Sequence, residues 1–271
     1  KTMDDEMMQK LAMLKALSSQ DEEGEIYVSS VNDAINLLQR HMTPQGARYR
    51  RDLVTYITNP ENRVLSEPDV YHNFIMDLFR VGDYDLALSV CDFALEMAPY
   101  SCDMLGNAIK ACGDSSQFEL GEKYLEKANQ IPRERWSYRL FLYSVDFLKT
   151  KLKAFILDDT VYERAMELVD DYIRVYPFDE HGYNQKAEML LIVNHRDEAI
   201  STLKRFIMEV HPDEKDSKSS LICAQCCVTL LQILDDSNEY DFIIQICDKG
   251  LCNTTQEQPS AAIGFFVYRK A

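Results

Sequence analysis

The chain has 271 residues, with 29 Lys and Arg against 45 Asp and Glu, and a net charge of −16. So acidic a chain repels phosphate backbones and anionic lipid surfaces; neither nucleic acid nor membrane is expected as a partner, and basic partners are favoured. With 9 Gly, 8 Pro and few β-branched runs, the composition argues against a sheet-rich fold and for helices.

Met7 to Leu17 and Ser30 to Met42 read as amphipathic helices, the second opened by Ser30 with Asp33 three residues on. Pro44 to Ile57 is a third candidate, ended by Asn59-Pro60. Residues 1–67 lack the register of residues 68–271, so they are expected to form an irregular helical cap or, alternatively, divergent repeats. Val70 to Val81 places Tyr71, Phe74, Ile75 and Leu78 on one stripe and stops at Gly82-Asp83, where Gly permits the left-handed helix end.

From there a period emerges. The small residues Ala87, Gly121, Ala165 and Ala199 are 34, 44 and 34 positions apart, and Pro99, Pro132, Pro177 and Pro212 keep nearly the same spacing. Four positions after each small residue comes Cys91, Leu125, Val169 or Leu203, and three further on Ala94, Ala128, Tyr172 or Phe206. Offsets of 0, 4 and 7 are one face of a helix. A helix precedes each of these; before Ala199 it is His181 to Val193, with Tyr183, Ala187 and Leu190 on one stripe and Asn194 at its end. The segment Arg135 to Leu157 is read as the insertion behind the 44-residue spacing. Neither helix of a unit buries its apolar face alone, so neighbouring units must stack.

These residues resemble the tetratricopeptide repeat family, whose unit is about 34 residues. The unit from Pro68 carries Tyr71, Phe74, Leu78, Ala87, Ala94 and Pro99 at family positions 4, 7, 11, 20, 27 and 32, with Ile75 where position 8 is small in the family. The unit from Cys102 carries Leu105, Ala108, Cys112, Gly121 and Ala128, and the unit from Glu180 carries Tyr183, Ala187, Leu190, Ala199 and Phe206. With Tyr240 at position 17, Ile243, Cys247 and Gly250 take positions 20, 24 and 27, and a last half-unit starts near Pro259. The resemblance implies an all-α, right-handed superhelical solenoid of antiparallel helix pairs over 68–271, about five units with the last incomplete.

It also implies a function: a protein- or peptide-binding scaffold, with stacked first helices lining a concave groove through positions 2, 5, 6, 9, 12 and 13. On the unit from Pro68 these are Asp69, His72, Asn73, Met76, Phe79 and Arg80; the unit from Cys102 adds Asp103, Asn107 and Lys110. On the unit from Glu180 they are His181, Asn184, Gln185, Glu188, Leu191 and Ile192. Asn and Gln suit the main chain of an extended peptide, and Met and Phe its apolar side chains; Met76 and Phe79 equally suit packing between repeats. Repeats that clamp a chaperone's terminal carboxylate use Lys and Asn at positions 5 and 9, where this chain has His72 and Met76, so that role is not expected.

No residue pattern announces chemistry. Cys223, Cys226, Cys247 and Cys252 mimic a four-thiolate zinc set, but Cys223, Cys226 and Cys227 lie at helical spacing within an apolar run, which marks them as core residues. The five histidines show no metal-binding spacing, and neither a phosphate-cradling loop nor a nucleophile elbow is present. No catalytic residue, cofactor or metal is expected. The arginine clusters Arg48, Arg50, Arg51 and Arg133, Arg135, Arg139 read as solvated helix faces. Eight cysteines without a hydrophobic leader suggest reduced thiols and a cytoplasmic setting. A chain starting at Lys1 and ending in mid-pattern at Ala271 reads as a piece of something longer. The alternative function is therefore the ligand-sensing, regulatory part of a larger signalling protein or enzyme whose effector domain lies elsewhere.

Overall fold

The computed structural model describes residues 51, 54, 55, 58, 71–155, 158–210, 224–234 and 240–252. The expected cap over 1–67 falls almost wholly outside these, as do Asp69, the side chain of Asn73 and the half-unit from Pro259. The helices are α1 (Tyr71–Arg80), α2 (Tyr84–Met97), α3 (Cys102–Asp114), α4 (Phe118–Ala128) and α5 (Tyr138–Ala154). They continue with α6 (Asp159–Val175), α7 (Glu180–Ile192), α8 (Arg196–Arg205), α9 (Ala224–Ile233) and α10 (Tyr240–Cys252). No strand occurs among the described residues, and no helix there is long and apolar enough to cross a membrane. The chain divides into two compact bodies, Lys1–Phe147 and Leu148–Ala271, so α5 contributes to both.

The repeat positions become the core. Ala87, Cys91 and Ala94 are fully buried on α2, as are Ala165, Val169 and Tyr172 on α6 and Ala199, Leu203 and Phe206 at and just beyond α8. Tyr71, Leu105, Phe141 and Tyr183 fill the corresponding place on the first helix of the first four pairs. Small side chains let two helices cross closely, and the larger ones between them fill the remaining volume.

Three of the turns within pairs are built alike. Gly82, Ser116 and Asn194 adopt φ values of +74°, +59° and +63°. In each case the next amide reaches back five residues: Asp83 N to Leu78 O at 3.0 Å, Gln117 N to Cys112 O at 2.8 Å and His195 N to Leu190 O at 2.8 Å. This closes the orphan carbonyls at the helix ends.

The third pair departs from this scheme. Its first helix, α5, has 17 residues, where α3 and α7 have 13 each. Ser137 opens it, its Oγ accepting from Leu140 N, as Ser101 opens α3 by accepting from Met104 N. Of the ten extra positions in the long spacing, four lengthen α5 at its far end and three lengthen α6 ahead of Ala165; the connection that holds a 3-10 turn at Arg133–Arg135 and the turn after α5 take up the remainder. The segment read as an insertion is largely a helix of the repeat itself.

Glycines set the approach of α3 to its neighbours. A Cβ on Gly106 would stand 3.3 Å from the Leu140 Cα, and one on Gly113 would stand 3.5 Å from the Phe147 Cα. The backbones of α3 and α5 are therefore nearly in contact at two points, one residue type permitting both.

Of the cysteines whose side chains are described, all but the half-buried Cys102 are core residues. Cys91, Cys112, Cys226, Cys227 and Cys247 are fully buried, the last three in the apolar cluster of the second body with Leu203, Phe206, Leu230 and Ile246. Burial, reinforced by the charge of Asp92, pushes the Cys112 thiol up to about 12, so it stays protonated and unreactive.

Candidate functional site

In the first body α1, α3 and the start of α5 lie side by side, and polar residues meet across the helices. The Asn107 amide sits 3.0 Å from Nδ1 of the half-buried His72. Asn107 itself is fully buried, and its Oδ1 has no hydrogen-bond partner. With Asn107 donating, the imidazole accepts at Nδ1 and carries its proton on Nε2.

One helical turn further on, Lys110 extends between two aromatic rings, with Nζ 5.7 Å from the Phe79 centroid and 5.6 Å from that of Tyr143. Its charge is met by Asp114 at 2.8 Å. The Tyr143 hydroxyl is raised above the ordinary tyrosine range by burial, against the pull of Lys110 and Arg139. At the opposite end Asp103 takes a hydrogen bond from Ser137 Oγ at 2.9 Å and pairs with Arg139 at 3.4 Å. Met76 and Phe79 are half-buried; Arg80 is exposed and paired with Asp77.

The second body treats the same positions differently. Lys149, from the last turns of α5, bonds Gln185 Oε1 at 2.8 Å and Glu188 Oε2 at 2.6 Å. Asn184 donates to Glu188 Oε1 at 2.9 Å and accepts from Thr229 Oγ1 of α9 at 2.7 Å. Asn184 and Gln185 are each 7% exposed. A chain of polar contacts thus runs from α5 through α7 to α9, and the two amides expected at a peptide are engaged between helices. His181 is exposed, with Nδ1 2.8 Å from Asp179 Oδ1. Burial pushes the Asp179 carboxyl up, but bonds from His181 and Tyr172 outweigh it and hold the group below its usual range. Leu191 and Ile192 are half-buried.

The residues brought together are therefore His72, Phe79, Asn107 and Lys110 on one face, and Asn184, Gln185 and Glu188 in a separate network. Sequence reading missed Tyr143 and Lys149, and it set Arg139 on a solvated helix face, where the side chain is half-buried and paired with Asp103. All three stand on α5, whose register is hidden when the third unit is counted back from Ala165; counting forward from Ser137, by analogy with Ser101, places them at positions 2, 6 and 12. No group of three or more metal-ligating side chains occurs among the described residues.

No family profile and no curated protein matches the chain. Solved structures do. The chain is similar to a thermophilic tetratricopeptide protein of Thermus thermophilus, at 14% identity over 74% of this chain and 98% of that one, with a TM-score of 0.50. A tetratricopeptide protein of Parabacteroides merdae shares 14% identity over 97% and 99% of the two chains, at a TM-score of 0.49. The pilF protein of Pseudomonas aeruginosa shares 16% over 91% and 97%, at 0.46. At such identities the likeness is one of fold.

Proposed function

Starting from a chain with the tetratricopeptide-repeat fold, we propose that it is a binding module for an extended segment of another protein, held on the face formed by α1, α3 and α5. The observation that carries this is the contrast between the two bodies. In the second, Asn184 and Gln185 are engaged by Thr229 and Lys149; in the first, Asn107 keeps an unpartnered Oδ1 beside half-buried His72, Met76, Phe79, Lys110 and Tyr143.

Asn107 Oδ1 is closed to solvent, so a bound segment is met by the half-buried side chains around it, with His72 and Lys110 as the polar contacts. The rings of Phe79 and Tyr143 and the thioether of Met76 offer an apolar lining of adaptable shape. No group on this face is placed to break or form a covalent bond, so recognition here is by shape and hydrogen bonding. The overall charge of −16 favours a basic segment and speeds its encounter at low salt.

The test is a peptide array screened with the whole chain, followed by affinity measurement on the strongest binder. His72→Ala with Lys110→Ala is expected to weaken it at least about tenfold. Glu96→Ala and Glu126→Ala, exposed on the second helices α2 and α4 of the same body, should leave it unchanged. Equal affinity of both pairs of variants, at unchanged thermal stability, would remove the face from consideration.

A further inference from the structure

Glu180, the first residue of α7, is a carboxyl in an unusual place. It is 8% exposed, and no cation forms an ion pair with it among the described residues. Its Oε2 instead accepts from Gln225 N at 3.0 Å and Cys226 N at 3.2 Å. These are amides of the first turn of α9, which otherwise lack intrahelical partners. The contact is doubled from the other side, since Cys226 Sγ reaches the Glu180 carbonyl oxygen at 3.4 Å. The fourth helix pair thereby caps the fifth across 45 residues of chain.

We propose that Glu180 is a proton-operated latch: its neutral carboxyl seats the start of α9 on α7, and loss of its proton slackens that junction and with it the fifth helix pair. The geometry supplies the reason. A neutral carboxyl still offers its carbonyl oxygen to both amides, whereas a carboxylate buried without a counter-charge must find water to be solvated. The titratable groups facing it do not remove the difficulty. Asp179 and His181 flank it in the chain and act in opposite senses, and Cys226 faces it from α9. Tyr172 of α6 is spent on Asp179, and Arg205 of α8 acts on Tyr183. Burial, against the two amide bonds, raises the Glu180 carboxyl from its ordinary range to about 7.

The sign follows from linkage. A carboxyl raised on folding binds its proton more tightly in the folded chain than in the opened one, so the junction is firmest below the ordinary carboxylate range. It weakens as pH rises towards about 7 and is constant above.

Amide hydrogen exchange of α9 and α10 in the whole chain, corrected for base catalysis, measures this directly. Between pH 5 and pH 8.5 the opened fraction in the natural chain should rise at least about tenfold. In Glu180→Gln, which keeps the acceptor oxygen and cannot ionise, it should stay level. Identical pH dependence in both proteins would overturn the latch. So would a carbon-13 titration of the Glu180 carboxyl with its midpoint in the ordinary carboxylate range, a measurement that needs no variant to fold.

Discussion

Gly121→Ala should destabilise the first body by about 2 kcal/mol or more, although the same exchange inside an ordinary helix is favourable by nearly 1 kcal/mol. Gly121 lies at the family's small position on α4, and a Cβ there would stand 2.2 Å from Cε2 and 2.6 Å from Cζ of Phe147, and 3.0 Å from the Cys112 Cβ. Phe147 is itself 1% exposed and lies 6.0 Å from the Phe118 ring centroid, so its ring has no room to withdraw. The methyl gains helix propensity and loses far more in overlap. Denaturant unfolding followed by fluorescence of the single tryptophan, which belongs to the same body, gives the difference. Adding Phe147→Leu should restore much of the loss, because the clash is with the ring edge; the two substitutions touch one another and should be strongly non-additive. A Gly121→Ala chain as stable as the natural one would show that α4 and α5 do not approach as described.

Trp136→Ala should cost about 3–5 kcal/mol, the usual range for removing a large buried aromatic side chain. The indole is 1% exposed and packs on Phe141 with centroids 5.0 Å apart. Its Nε1 donates to the Ile131 carbonyl at 3.1 Å, and the Arg133 guanidinium covers the ring at 3.9 Å. The residue closes the turn between the second and third pairs, where a 3-10 segment follows Pro132 and ends at Trp136. Trp136→Phe keeps most of the apolar area and leaves the Ile131 carbonyl short of a donor, so it should lose roughly 1–3 kcal/mol. Thermal unfolding followed by circular dichroism ranks the three proteins. If the alanine and phenylalanine variants behaved alike, the hydrogen bond rather than the ring would be the stabilising part.

The fold was legible because its determinants are local in sequence. A small residue, an apolar one four later and another three beyond are enough to specify which face of a helix is buried, and Ala87, Cys91 and Ala94 are all fully buried. The turns were legible where Gly82 and Asn194 stand at helix ends, residues that tolerate the left-handed conformation; Ser116 adopts it without that signal. The length of α5 was not legible by counting back from the second helix, since Gly121 and Ala165 are 44 positions apart where 34 is regular. Only the Ser137 cap reveals where that helix begins.

The expected groove positions could be listed from the sequence, but not the contacts those side chains make. Nothing at Asn184 or Gln185 says that Thr229 and Lys149 reach them, because those partners are 45 and 36 residues away and are delivered by stacking. Likewise Gly106 and Gly113 fall on the groove face by number, yet they serve the close passage of α5. What distinguishes a binding amide from a packing amide is its neighbour in the next pair, and that neighbour is a property of the array.

The turns at Gly82, Ser116 and Asn194 close their helices through main-chain atoms. The residue at the left-handed position supplies a conformation and little contact: a Cβ built on Gly82 meets nothing within 4 Å. Such sites can drift among Gly, Asn and Ser over generations at a cost on the order of 1 kcal/mol, whereas Gly121 is sterically frozen. Substitution is therefore tolerated at the punctuation and barred at the crossing beside Phe147. Descendants that have lost all resemblance in their turns would still be recognisable by the spacing of their smallest buried residues.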